Sequence, residues 1–182
     1  MRNEMHRDAA GQTTTIRPRT EADLPGAAAA LVAVHAVDGY PVEGVDAPLE
    51  WLSPAGVLQA WVAEKGGEIV GHAMLSRPQG EDAVEMWLEQ SGDTADHVAV
   101  GARLFIAPEA RGEGLGERLM RTGFDYARDH RLRVVLDVMT KDKTAIRLYE
   151  RLGMQRLGTA RHAYGEGQEI DAVCYVSPAP EA

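Results

Sequence analysis

The chain holds one cysteine, no long apolar run and no excess of positive charge, and each lack closes off a class of function. Cys174 alone cannot form an internal disulfide, and its setting, Ala172-Val173-Cys174-Tyr175-Val176, suits a small buried hydrophobe rather than a nucleophile. The most apolar stretch, Ala27 to Val37, is too short to cross a bilayer and contains His35. The first residues, with Arg2, Glu4, His6, Arg7 and Asp8, lack the apolar segment of a signal peptide, so the expected location is the cytoplasm. A net charge of −9 argues against nonspecific nucleic-acid binding, which needs a basic surface, and mildly favours a cationic substrate. His35, His72, His97, His130 and His162 have no metal-site spacing with one another or with Cys174, so no metal centre is expected. What remains is a chain of 182 residues, 45% hydrophobic and 26% charged, which suits one globular domain with a substantial core.

The stretch from Leu104 to Met120 organises the rest. Leu104-Phe105-Ile106 is a short apolar run closed by Pro108, while Leu115, Leu119, Met120, Phe124 and Ala127 recur at helical spacing, so a buried strand feeds an amphipathic helix. The N–H groups of a first helical turn have no intrahelical partners, and the helix dipole adds partial positive charge. The junction Arg111-Gly112-Glu113-Gly114-Leu115-Gly116 can therefore receive a phosphate. Glycine lets a ligand approach the backbone, and Arg111 can add charge-assisted hydrogen bonds. A plain glycine turn capped by a helix, with Glu113 favoured by the dipole, fits the same residues. A Walker loop would need Gly-Lys-Ser or Gly-Lys-Thr, which does not follow. A dinucleotide fingerprint counted from Gly112 meets Glu117 where its third glycine should stand.

Along the rest of the chain, residues 1–12 read as a disordered polar tail and Thr13 to Arg17 as a first strand ended by Pro18. Thr20 and Asp23 signal a helix start ahead of Ala27 to Val37, and Asp38-Gly39-Tyr40-Pro41 breaks that helix. Pro48 to Gln59 reads as a short second helix anchored by Trp51 and Leu52. Ala60 to Glu64 and Glu68 to Leu75 form a hairpin across Lys65-Gly66-Gly67. A short helix over Ala83 to Gln90 precedes a strand over Asp96 to Ile106, splayed or bulged near its end. A helix from about Gly114 to His130 leads to Val134-Val135-Leu136-Asp137-Val138-Met139, a β-branched run suited to a buried parallel strand. Thr144 to Leu152 is then a helix stopped by Gly153. Met154 to Ala163 and Ile170 to Val176 make a final hairpin.

Written as Arg-x-x-Gly-x-Gly, Arg111, Gly114 and Gly116 resemble the pyrophosphate-binding signature of the GNAT acetyltransferases, and Arg103-Leu104-Phe105-Ile106 resembles that family's fourth strand. Asp142-Lys143-Thr144-Ala145-Ile146-Arg147-Leu148-Tyr149-Glu150-Arg151-Leu152-Gly153-Met154 resembles its second landmark, with Asp142 replacing the usual Asn and Met154 the usual Phe. The resemblance implies a single α/β domain over residues 13–177, with a mixed central sheet of about six to seven strands flanked by helices and a short tail at 178–182.

The resemblance also implies acetyl-CoA as co-substrate. Its pantetheine arm would pair with the backbone of Leu104, Phe105 and Ile106, its pyrophosphate would sit on Arg111 to Gly116, and Asp142 would lie near the cofactor. The acetyl group would pass to a primary amine, on a small molecule or a peptide, by direct attack in a ternary complex. Tyr149 takes the place of the proton donor, although an aromatic on an apolar helix stripe is also an ordinary core residue. Asp137 takes the position of a glutamate that acts as base in some members; a structural carboxylate is the competing reading, and Asp96, His97 and Glu85 are alternatives. The first two helices and their loop would shape the acceptor pocket, with Tyr40 either a wall of it or a cover for the core. A non-catalytic acyl-CoA-binding module would use Arg111 and the glycines without Tyr149. Exposed strand edges leave room for a homodimer that no residue specifies.

Overall fold

The computed structural model of the chain describes residues 5–7 and 11–180. Its strands are β1 (Met5–Arg7), β2 (Thr13–Pro18), β3 (Val57–Lys65), β4 (Glu68–Ser76), β5 (Val98–Ile106), β6 (Arg133–Met139), β7 (Gln155–Tyr164) and β8 (Gln168–Val176). The helices are α1 (Leu24–Asp38), α2 (Pro48–Trp51), α3 (Asp82–Ser91), α4 (Leu115–Asp129) and α5 (Lys143–Arg151). The fold is α/β, with an eight-stranded sheet in the order β1-β2-β3-β4-β5-β6-β8-β7. The sheet is mixed: β5 and β6 run parallel, whereas β2 with β3, β6 with β8 and β7 with β8 are antiparallel.

Two compact units make up the chain, residues 1–74 with 102–123 and residues 75–101 with 124–182. In the first, the side chain of Asp23 accepts hydrogen bonds from the Thr20 N–H (2.7 Å) and hydroxyl (3.1 Å), the expected helix start. The same carboxylate takes both terminal nitrogens of Arg17, at 2.7 and 2.8 Å, and this bidentate pair holds it well below the usual carboxylate range. A single 3-10 turn over Glu21–Asp23 then leads into α1, which buries Ala27, Ala28, Ala30, Leu31 and Val34 and ends at the left-handed Gly39. At Gly71 on β4 the packing is close on three sides, since a Cβ would stand 3.0 Å from Ile106, 3.1 Å from Ala63 and 3.2 Å from Leu119. A side chain there would push these neighbours aside. The second unit is built on Ala83, Val84, Val98, Val135, Cys174 and Val176, packed from α3, β5, β6 and β8.

Three expectations need correction. The helix expected over Pro48 to Gln59 stops at Trp51: Pro54 has no N–H to continue it, and Gly56, at φ 81°, turns the chain into β3, which starts at Val57. The strand expected from Asp96 starts at Val98, because Ala95–His97 forms a 3-10 turn. Met5–Arg7, placed in a disordered tail, is a strand paired antiparallel with Thr13 to Thr15, adding a strand to the sheet by covering the free main-chain groups of β2. The rest of that tail's first ten residues, 1–4 and 8–10, lies outside the described residues, as do 181–182. Residues 178–180 carry no regular structure, while Ser177 is still tied to Val134 through its N–H and its hydroxyl oxygen. Among the described residues no helix is long and apolar enough to cross a membrane.

Candidate active site

After Ile106 the Ala107 N–H donates to the Val70 carbonyl at 2.8 Å, and a 3-10 turn over Pro108–Ala110 carries the chain to the glycine loop. Gly112 (φ 80°) and Gly114 (φ 75°) are both left-handed, a backbone conformation that glycine adopts without strain. The next main-chain N–H with a helical acceptor is that of Arg118, bonded to Gly114 O at 3.1 Å; those of Gly112 to Glu117 have no acceptor among the described residues. A Cβ at Gly112 or Gly114 would meet nothing within 4 Å. Gly112 and Gly114 therefore border open space just before the start of α4.

Side chains set the charge around this loop. Glu113, which would repel an anion, accepts at Oε1 from the Lys65 ammonium at 2.7 Å. Arg111 donates from Nε to Ile106 O at 3.2 Å and pairs through Nη2 with Asp38 at 2.6 Å. The loop's own cation is thereby steadied by the last residue of α1. Asp38 is 73 positions away and sequence reasoning missed it, since nothing local to either residue marks the pairing. Leu115 is buried at the head of α4 and Gly116 follows in its first turn.

On β5, Phe105 points into the core while Leu104 and Ile106 are half-buried. Arg103 stands just before them at φ 53°, a left-handed conformation unusual for a residue with a side chain, which matches the expected irregularity near the strand's end. Its carbonyl accepts from His72 Nδ1 at 2.8 Å, so His72 Nε2 is the acceptor for Arg19 Nη1 at 2.9 Å. His72 is wholly buried and stacks on Phe105 with ring centroids 5.2 Å apart. Burial, with Arg19 and Arg103 close by, pushes its pKa down to about 4.

The unfolded chain protonates His72 near its ordinary 6.5 while the folded chain keeps it neutral, so the unfolded state binds more protons between those values. Stability should be full above about pH 6.5 and fall by roughly 3 kcal/mol as the pH drops to about 4. Urea unfolding of the parent and His72→Gln across that range checks this. The variant should show the shallower pH dependence, and equal slopes would refute the assignment.

The second motif lies in the other unit. Tyr149 on α5 is 7% exposed, and its ring lies 6.0 Å from that of Tyr175. Burial raises its pKa beyond the ordinary phenol value, helped by the negative charges of Asp142 and Asp137, so three residues named from the sequence come together here. Asp142 stands at the head of α5 without capping it through its side chain. Asp137 is exposed on β6, opposite Cys174 in the antiparallel register with β8. Cys174 is fully buried, and burial with Asp137 and Asp82 nearby pushes its thiol up to about 11, which leaves it protonated and inert. The alternative bases Glu85, Asp96 and His97 are all exposed, and His97 Nδ1 is 2.7 Å from Asp93. Tyr40 is half-buried, edge-on to Trp51 at 5.8 Å. Among the described residues no group of His, Cys, Asp or Glu could hold a metal ion.

Residues 28–154 match the model of the acetyltransferase (GNAT) family. The chain is 36% identical over 110 residues to a mycothiol acetyltransferase of Acidothermus cellulolyticus, covering 60% of this chain and 32% of that protein. It is 32% identical over 102 residues to the N-alpha-acetyltransferase RimI of Mycobacterium tuberculosis, covering 56% of this chain and 55% of the relative. The chain thus spans about a third of the length of the first and about half of the second. In fold it resembles Arabidopsis thaliana NAA60, crystallised with acetyl-CoA, at a TM-score of 0.67 and 19% identity over 90% of this chain and 97% of that one. The family match runs from α1 through both motifs to Met154, and the chain belongs to the acetyltransferase (GNAT) family.

Proposed function

We propose that the chain is an acetyl-CoA-dependent N-acetyltransferase acting on a primary amine by direct attack in a ternary complex. The observation that carries this reading is the row of amides from Gly112 to Glu117 with no acceptor among the described residues, with open space at Gly112 and Gly114 and with Arg111 beside it. In this reading those amides hold the diphosphate, and the main chain of Leu104, Phe105 and Ile106 pairs with the pantetheine arm. A neutral amine nitrogen attacks the thioester carbon, the carbon–sulfur bond breaks, and Tyr149 gives its phenolic proton to the departing thiolate. Asp137, exposed and close enough to influence Tyr149, accepts the proton shed by the amine, directly or through water. Asp142 offers acetyl-CoA a carboxylate where the family has an asparagine amide, so the contact there lacks an N–H donor. The acceptor is a small-molecule or peptide amine. The sequence relatives named above are acetyltransferases, which supports the reading.

Thiol release from acetyl-CoA against a panel of amines tests it. Release should depend on the amine and exceed hydrolysis in its absence by ~100-fold or more, the scale of general acid–base help. Retained acetyl-CoA binding with no release against any amine would instead favour a non-catalytic acyl-CoA-binding module. Absence of binding would remove both readings.

A further inference from the structure

The arginines of the first unit fall into two kinds. Arg17 takes the carboxylates of Asp23 and Glu64, and Arg111 takes that of Asp38. Arg103 and Arg19 form no ion pair among the described residues. Arg103 Nε donates to Trp51 O at 2.6 Å, and its guanidinium lies 4.7 Å from the centroid of the Trp51 ring. Arg19 Nη1 donates to Leu52 O at 2.8 Å and to His72. His72 cannot supply a counter-charge, because an imidazole is neutral or positively charged.

A guanidinium drawn part way out of water without a bonded carboxylate is unfavourable, and burial is the largest influence on both groups. Tyr40 and Glu43 lie close enough to influence Arg103, and of the two only Glu43 is charged at neutral pH. Both lie between α1 and α2, in the segment assigned above to the acceptor side. Nε and the plane of Arg103 are committed to Trp51, while its two terminal nitrogens make no hydrogen bond among the described residues. That is the end of the fork that recognises a carboxylate.

Resting on the acetyltransferase reading, we propose that the acceptor carries a carboxylate near its amine, as in an amino acid or an acidic peptide, and that Arg103, held by Trp51, binds that carboxylate. The net negative charge of the chain mildly favours a cationic substrate, but Arg19 and Arg103 place two guanidinium cations around His72 here. Trp51 bridges the parts of the site, its ring being 5.8 Å from Tyr40 and 6.2 Å from Phe105 on β5.

The test uses matched acceptors, each amino acid or peptide as its free acid and as its carboxamide, with kcat/KM measured for the parent, Arg103→Gln and Arg103→Gly. The glycine variant suits the left-handed backbone and guards against a folding defect. The parent should prefer the acid by ~10- to 100-fold, the range of a charge-assisted pair, and the acid-to-amide ratio should collapse towards one in both variants. Calorimetric binding of the N-acetylated acids and N-acetylated amides needs no turnover and should show the same collapse. It decides the proposal even where no amine is acetylated, an outcome that would count against the transferase reading alone. Equal losses on acid and amide, or a parent preference for the amide, would overturn the role of Arg103 while leaving acetyl transfer intact.

Discussion

Replacing Tyr149 with phenylalanine should lower turnover by ~100- to 10,000-fold while acetyl-CoA binding is retained, the loss expected when a positioned general acid is removed. The ring is buried against Tyr175, and phenylalanine keeps that packing, so the substitution isolates the hydroxyl. Burial and the charges of Asp142 and Asp137 account for the raised pKa, and no hydrogen bond contributes. A phenol this deeply placed ordinarily has a hydrogen-bond partner, and its lack of one among the described residues suits a group that meets its partner in the bound substrate. The direction of the shift also sets the pH profile. Because the folded pKa lies above the ordinary 10, Tyr149 stays a proton donor throughout the assay range, and turnover should show no downturn from its ionisation below about pH 10. A Tyr149→Phe enzyme with parental turnover would make the residue an ordinary core aromatic.

The second large effect is expected at the glycine loop. Gly114→Glu should weaken acetyl-CoA binding by ~100-fold or more, since a carboxylate facing a bound diphosphate opposes it by several kcal/mol. Nothing lies within 4 Å of the new Cβ, so the fold has no steric reason to fail. The left-handed φ of 75° adds a backbone penalty of roughly 1–2 kcal/mol for any side chain. Gly114→Ala carries that penalty without the charge, and the difference between the two variants, read by calorimetry with acetyl-CoA, isolates the electrostatic part. If Gly114→Glu bound acetyl-CoA as the parent does, the loop would be a structural turn and the diphosphate site would have to be sought elsewhere.

Both predictions concern residues that could be named before any coordinates, and the reason is local. Left-handed glycines, a proline-closed strand and an apolar stripe at helical spacing are properties of consecutive residues, so Gly112, Gly114, Leu115 and Leu119 announce their conformation within a few positions. The hairpins were legible for the same reason: Gly66 and Gly67, at φ 57° and 84°, supply the turn between β3 and β4. Where local signals conflicted, the reading went wrong. The apolar pattern after Pro48 suits a helix, but Pro54 and Gly56 outweigh it, and Val57 starts a strand. Met5–Arg7 has little apolar content to mark it, and its strand exists because β2 offers free main-chain groups for pairing.

By itself, residue order determined the α/β arrangement, the left-handed glycine loop and the helix that carries Tyr149, because each follows from backbone preferences and periodicity over short spans. Only the tertiary structure decided which arginines acquire carboxylates and which do not. Asp38 reaches Arg111 across 73 positions, His72 meets the carbonyl of Arg103 across 31, and Trp51 receives that residue's side chain across 52. Partnerships of this kind depend on where separate elements bring side chains to rest and how much water they exclude. No run of neighbouring residues encodes that, which is why the anchored loop cation and the unpaired guanidinium of Arg103 emerge only once the chain is folded.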